Sequence, residues 1–166
     1  MIGFITGLPR SRTKWFADYF GGLVPSFHEP LNGMRSKYEF YSLVRSGCVI
    51  SDSGLFLTDF QKRFPNVPTV IIERKAEDVF ESLVDYFEDQ EFPRPSWKVT
   101  LEHKAEIDKI KGLRIPFESI NDRLEEIHEL FNIPFSQDYA DKMTVQNLQI
   151  PVLTTDVESF KVWRQI

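Results

Sequence analysis

The chain has 166 residues, of which 42% are hydrophobic, and a formal net charge of −5. That length and apolar content suit one globular domain, residues 1–166, with enough apolar surface for a core. The acidic balance argues against a dedicated nucleic-acid binder, which needs clustered Lys and Arg against phosphate, and the single cysteine, Cys48, excludes an internal disulfide.

Ile2-Gly3-Phe4-Ile5-Thr6 reads as a short buried strand. Gly7 to Arg12 is a loop, and Thr13 to Phe20 turns helical, with Trp15, Phe16, Tyr19 and Phe20 able to share a face before Gly21-Gly22 stops it. His28-Glu29-Pro30 lies in a connection, and a second helix is expected from Gly33 to Arg45. Cys48-Val49-Ile50-Ser51 is a second strand, with Cys48 a core residue. Leu55 to Phe64 is helical, and Thr69-Val70-Ile71-Ile72-Glu73 is a continuous β-branched strand. Ala76 to Glu88 follows as an amphipathic helix, Glu91 to Pro95 as a loop and Trp97 to Lys111 as a helix. Leu113 to Phe117 is a fourth strand, placed at an edge because Pro116 cannot donate to a ladder. Helices are expected over Ser119–Phe131, with Ile120, Leu124, Ile127, Leu130 and Phe131 on the apolar face, and over Ser136–Leu148. His103 and His128 are expected on helix surfaces.

Strands that alternate with helices indicate an α/β fold: three layers, αβα, with a mostly parallel central sheet. Ligands of such sheets sit beyond the carboxyl ends of the strands, which brings together the loops after Thr6, Ser51, Glu73 and Phe117. No run reaches the roughly 20 apolar residues of a membrane span, and the opening residues lack the basic flank and long apolar stretch of a signal peptide. A cytoplasmic protein with no membrane and no nucleic-acid partner is the expectation.

The first of those loops carries the chemistry. Free N–H groups at a helix start favour an anion, and within Thr6 to Trp15 the chain adds Arg10, Arg12 and Lys14 as cations and Ser11 and Thr13 as hydroxyl donors. A plainer reading makes Ser11 or Thr13 an N-cap beside exposed cations. Three cations there oppose the helix dipole, however, and are unfavourable without an anion. The loop is not G-x-x-x-x-G-K-[ST], so a magnesium–triphosphate site is disfavoured.

Gly7-Leu8-Pro9-Arg10-Ser11-Arg12-Thr13-Lys14-Trp15 resembles the opening loop of the sulfotransferase family, close to G-x-P-[RK]-S-G-T-[TS]-[WL], and departs from it at Arg12 and Lys14. A side chain at position 12 resists the positive φ that glycine allows. A second resemblance lies at Arg74 and Ser82, eight positions apart on a strand, turn and helix. The resemblance implies a sulfotransferase-like relative of the P-loop fold that uses 3'-phosphoadenosine 5'-phosphosulfate (PAPS) as co-substrate and needs no metal. Gly7, Pro9, Arg10, Ser11, Arg12, Thr13, Lys14 and Trp15 would contact the 5' end, and Arg74 and Ser82 the 3'-phosphate. The family's late glycine-rich nucleotide loop has no clear counterpart, so Trp97, Lys98, Lys161 and Arg164 are candidates to complete the pocket.

Transfer to a hydroxyl or amine needs charge stabilisation, for which Arg10 and Lys14 are candidates, and a base. The candidates are Glu29, 18 positions after Ser11, where some family members carry a glutamate; Asp52, at the end of the second strand; and His28, which titrates near neutrality. Asp52 also suits an N-cap. Arg35, Tyr38, Tyr41, Tyr86, Phe87 and Phe92 are candidates for the acceptor pocket or for the core. Two rival readings stand beside a sulfotransferase: a small P-loop-type kinase or nucleotide-binding enzyme, and a degenerate nucleotide-binding protein without turnover.

Overall fold

The structure is a computed structural model describing residues 2–30, 37–53, 57–88 and 95–145. The expected helix starts at Gly33 and Leu55, Arg35, Phe92 and the chain from 146 onward, with Lys161 and Arg164, lie outside the described residues, as do the side chains of Lys37, Tyr38 and 57–59.

Five strands form one parallel sheet in the order β2-β3-β1-β4-β5: β1 Gly3–Gly7, β2 Ser26–His28, β3 Val49–Asp52, β4 Thr69–Glu73 and β5 Leu113–Pro116. The helices are α1 Thr13–Gly21, α2 Lys37–Arg45, α3 Leu57–Arg63, α4 Ala76–Phe87, α5 Trp97–Ile107, α6 Leu124–Phe131 and α7 Gln137–Thr144. Side-chain alternation along each strand feeds two cores. Ile5, Val49, Val70, Ile72 and Ile115 pack with α1, α6 and α7; Phe4, Ile50 and Ile71 pack with α2, α3, α4 and α5. The three-layer αβα architecture is therefore as expected, and β5 is an edge strand. Among the described residues no helix is long and apolar enough to cross a membrane.

Three expectations are corrected. β2 was read as a connection; it is a three-residue strand on the other edge of the sheet, paired with β3 from Ser26↔Val49 to His28↔Ser51. The helix expected from Ser119 begins at Leu124, after two single 3-10 turns at Phe117–Ser119 and Asn121–Arg123. Its buried stripe is Leu124, Ile127, His128 and Phe131, the i, i+3, i+4, i+7 set, whereas Leu130 is exposed.

His128 is thus a core residue. Its Nδ1 donates to the carbonyls of Ile133 and Pro134, so its Nε2 accepts from the Tyr19 hydroxyl at 2.9 Å. The Tyr139 hydroxyl donates to the Tyr19 carbonyl at 2.5 Å, which ties α7 to α1. Burial holds His128 below the usual histidine range despite those carbonyls, and pushes Tyr19 up to about 12. His103 is half-buried, and burial lowers it too. Cys48 is fully buried, as expected, and its thiol lies 3.2 Å from the Leu43 carbonyl.

Candidate functional site: an anion cradle at two strand-to-helix corners

β1 lies at the centre of the sheet, and its neighbour β4 runs parallel to it with Gly7 opposite Ile72. The strand-to-helix corners after them are therefore side by side. At the first, a Cβ on Gly7 would come within 2.8 Å of the Ile72 carbonyl oxygen and 3.1 Å of Ser11 Cβ, so only glycine lets the loop turn back this tightly. The Ser11 amide donates to the Leu8 carbonyl, and Arg12 occupies the N-cap of α1 without a side-chain capping bond.

Arg10 has φ 66° and Arg12 φ 61°, both left-handed. Position 12, where a side chain was expected to resist that conformation, adopts it at a cost of about 1–2 kcal/mol. Left-handed residues on either side of Ser11 give the loop the kind of backbone conformation in which amide nests for anions form. Ser11 is fully buried, and its hydroxyl has no partner in the protein. A buried hydroxyl left unpaired costs on the order of 1–3 kcal/mol. The hydroxyl of Thr6, just below, is likewise buried and unpartnered. No acidic residue lies in the first turn of α1.

The second corner closes on the first. Arg74 Nη1 donates to the Arg10 carbonyl at 2.6 Å, and Arg10 Nε donates to Ser82 Oγ on α4 at 3.3 Å. The two motifs read from the sequence thus meet through direct hydrogen bonds. Burial, together with the nearby Arg10 charge, lowers Arg74, while Asp78 and Glu118 act the other way. Among the described residues Arg10, Arg12 and Arg74 form no ion pair. They lean on rings instead: Arg10 lies 4.6 Å from the Tyr86 centroid, Arg74 4.6 Å from Phe117, and Arg12 5.3 Å from Phe117 and 5.9 Å from Trp15. Arg12 also donates to Asn121 Oδ1 at 3.2 Å.

Other candidates sit differently. Lys14 turns along the helix to Asp18 at 2.8 Å, so its charge is paired on the helix. Thr13 is buried at the start of α1, and Pro9 occupies the half-buried turn. Trp15 is 7% exposed, stacks on Tyr19, and donates its indole N–H to the Met143 carbonyl. It anchors α1 to α7 rather than offering an open ring. Trp97 packs edge-on against Phe80, and Lys98 pairs with Glu102. Tyr41 accepts from Arg63.

The candidate bases gather at the carboxyl ends of β2 and β3. Asp52, 6% exposed, stands in register with Thr6. Glu29 follows β2 at φ 43°, its amide donates to the Ser51 carbonyl, and its Oε1 accepts from Ser53 Oγ at 2.6 Å. His28 Nε2 is 3.9 Å from the same Glu29 oxygen. Burial lowers His28, against the partly compensating pull of Glu29. The structure therefore puts Glu29, His28 and Asp52 on one end of the sheet, beside the cradle.

Sequence reasoning missed Phe117, Asn121 and Ser53 as site neighbours. The strand-end rule already gathers the loops that hold Ser53 and Phe117, but no local pattern singles out these two side chains within them. A separate pocket of about 260 Å3, lined by residues including Glu125, His128 and Asn132, lies at the carboxyl end of α6, where Phe131 abuts Gly3 at the start of β1. It is at the opposite end of the sheet from the cradle.

No family's sequence profile matches this chain, and no curated protein sequence does. Solved structures do match by shape. The mouse sulfotransferase SULT7A1 complexed with PAP superposes with a TM-score of 0.58 at 17% identity, over 86% of this chain and 64% of that one. A sulfotransferase from Alicyclobacillus acidocaldarius gives 0.54 at 10% identity, over 85% of this chain and 88% of that one. The chain thus spans less than two thirds of the length of the mouse protein. Its α/β fold, a parallel five-stranded sheet between two helical layers, is the fold of these sulfotransferases.

Proposed function

We propose that the protein is a sulfotransferase-like enzyme that binds PAPS across the two corners and moves its sulfuryl group to a hydroxyl or amine. One observation carries this reading: three guanidinium groups that form no ion pair among the described residues gather at the left-handed loop around Ser11, tied together by the Arg74–Arg10 and Arg10–Ser82 hydrogen bonds. In a chain of net charge −5, concentrated positive charge of this kind is paid for only by a multiply charged anion.

In this reading the amides around Ser11, its hydroxyl and Arg10 hold the phosphosulfate end, and Arg74 with Ser82 holds the 3'-phosphate. Arg74 can offer a planar fork of donors. Glu29 takes the proton of the acceptor as the new S–O or S–N bond forms. The bond from sulfur to the bridging oxygen breaks, and the electron pair leaves with the phosphate, giving adenosine 3',5'-bisphosphate and the sulfated acceptor. Arg10 stabilises the charge that grows on the departing oxygens. Ser53 orients the Glu29 carboxylate through its 2.6 Å bond. The fold shared with the mouse protein complexed with PAP supports the nucleotide class.

A second reading, nucleotide binding without turnover, has its own support: Lys14 is neutralised by Asp18, and Trp15 is sealed in the core. Thermal melts with adenosine 3',5'-bisphosphate, ATP–magnesium and sulfate, followed by transfer assays from labelled PAPS to a panel of alcohols, phenols and amines, separate the readings. Saturation at about 100 times Kd stabilises by about 2.7 kcal/mol. Stabilisation by bisphosphate with transfer is the expected result. Stabilisation without transfer to any acceptor favours the binding protein, and selective stabilisation by ATP–magnesium overturns both in favour of a kinase-like enzyme.

A further inference from the structure

Arginines that must meet an anion pose a physical problem. Each guanidinium has to be fixed in place, because an unfixed one loses its rotamer freedom on binding. A carboxylate partner would fix it but would cancel its charge and occupy its donors. An aromatic ring attracts the cation through its quadrupole and leaves the N–H edge free.

Phe117 supplies such a ring to two arginines at once. It follows β5, and it packs against the core formed with α1 and α6, which holds it from below. Arg74 lies 4.6 Å and Arg12 5.3 Å from its centroid, and neither forms an ion pair among the described residues. Arg74 comes from the loop after β4, Arg12 from the loop after β1 and Phe117 from the end of β5, so one side chain joins three separate parts of the chain. We propose that Phe117 is a positioning residue of the anion site: its ring seats the guanidinium groups of Arg12 and Arg74 in the cradle and leaves both charged and open to the ligand. The proposal rests on the anion-cradle part of the reading above, not on sulfuryl transfer.

The test uses the full chain and two probes, inorganic pyrophosphate and adenosine 3',5'-bisphosphate, titrated calorimetrically against wild type, Phe117→Leu, Phe117→Tyr, Arg74→Ala and the Phe117→Leu/Arg74→Ala double variant. Ligand-free melting temperatures are recorded for each. Phe117→Leu is expected to weaken both probes about 10-fold, and Phe117→Tyr, which keeps the ring, to stay within about 3-fold of wild type. The double variant is expected to lose less than the sum of the two single losses, because the ring acts in part through Arg74 and keeps only its effect on Arg12 once that arginine is gone. A merely structural role would move the melting temperature of Phe117→Leu without this coupling. If Phe117→Leu fails to fold, Phe117→Met takes its place. Wild-type affinity in the leucine or methionine variant, or a loss that simply adds to that of Arg74→Ala, overturns the proposal. If wild type binds pyrophosphate but not bisphosphate, the nucleotide reading fails and the pyrophosphate series alone decides on Phe117. If it binds neither, the cradle and Phe117's role in it fall together.

Discussion

Arg74 just after β4 and Arg114 on the neighbouring β5 are used by the protein in opposite ways. Arg114 is saturated: Nη1 meets Glu73 Oε1 at 2.9 Å, and Nη2 donates to the carbonyls of Ile107, Asp108 and Ile110, closing the end of α5. Arg123 is similar, paired with Glu126 and bonded to the Arg114 carbonyl. Arg74, with Arg10 and Arg12, meets only carbonyl, hydroxyl and amide oxygens and aromatic rings. The side chain is the same, but one set is spent on the fold and the other is kept electrostatically available. The absence of a contacting carboxylate, rather than the presence of arginine, marks the site; Asp78 and Glu118 act on Arg74 only from a distance.

Substitutions can sharpen or break this contrast. The largest effect is expected from Glu29→Gln, which removes the acceptor's base: transfer should slow by about 100-fold or more, with bisphosphate affinity unchanged by calorimetry. Unchanged turnover would move the base to Asp52. Next, Arg74→Ala should weaken bisphosphate about 10- to 100-fold, as expected for a lost charged hydrogen bond, and cost the ligand-free protein less than Arg114→Ala does, since it loses one carbonyl bond rather than an ion pair and three. Arg114→Ala should do the reverse, costing about 1–2 kcal/mol in denaturant melts with affinity intact. If the two variants behave alike, the division between spent and available arginines is wrong.

The smallest effect is acid-dependent. Burial lowers His28, His103 and His128 in the folded protein, so the unfolded chain binds protons first. Their contribution to stability is complete above about pH 6.5 and is lost as pH falls through the depressed folded values. Melting temperature should drop from pH 7 to pH 5, and His128→Asn should flatten that slope whatever it does to the absolute value. A slope equal to wild type would remove His128 from the account.

Much of this was legible in the residues. Strands β1, β3 and β4 announce themselves as apolar, β-branched runs, and the corners after β1 and β4 carry their polar groups within a few positions of the strand ends. β2 was not legible: Ser26-Phe27-His28 is three residues with no apolar run, and it is a strand only because β3 offers it a partner. His128 misled because histidine suggests solvent, although its spacing from Leu124 and Phe131 already put it on the buried stripe. Leu130 misled in the other direction, being apolar on an exposed face. The rings behind the arginines were invisible because Phe117 is 43 positions from Arg74 and 105 from Arg12 (117 − 74 and 117 − 12), and no local pattern links residues so far apart.

The central position of β1 has a consequence for how the molecule is made. That strand is flanked by β3 and β4, which begin at Val49 and Thr69, so its loop has no walls until the chain has been synthesised through Glu73. Such non-local pairing is slow to form, and a nascent chain carries its ligand-gripping turn unformed until the third and fourth strands have emerged to clasp it.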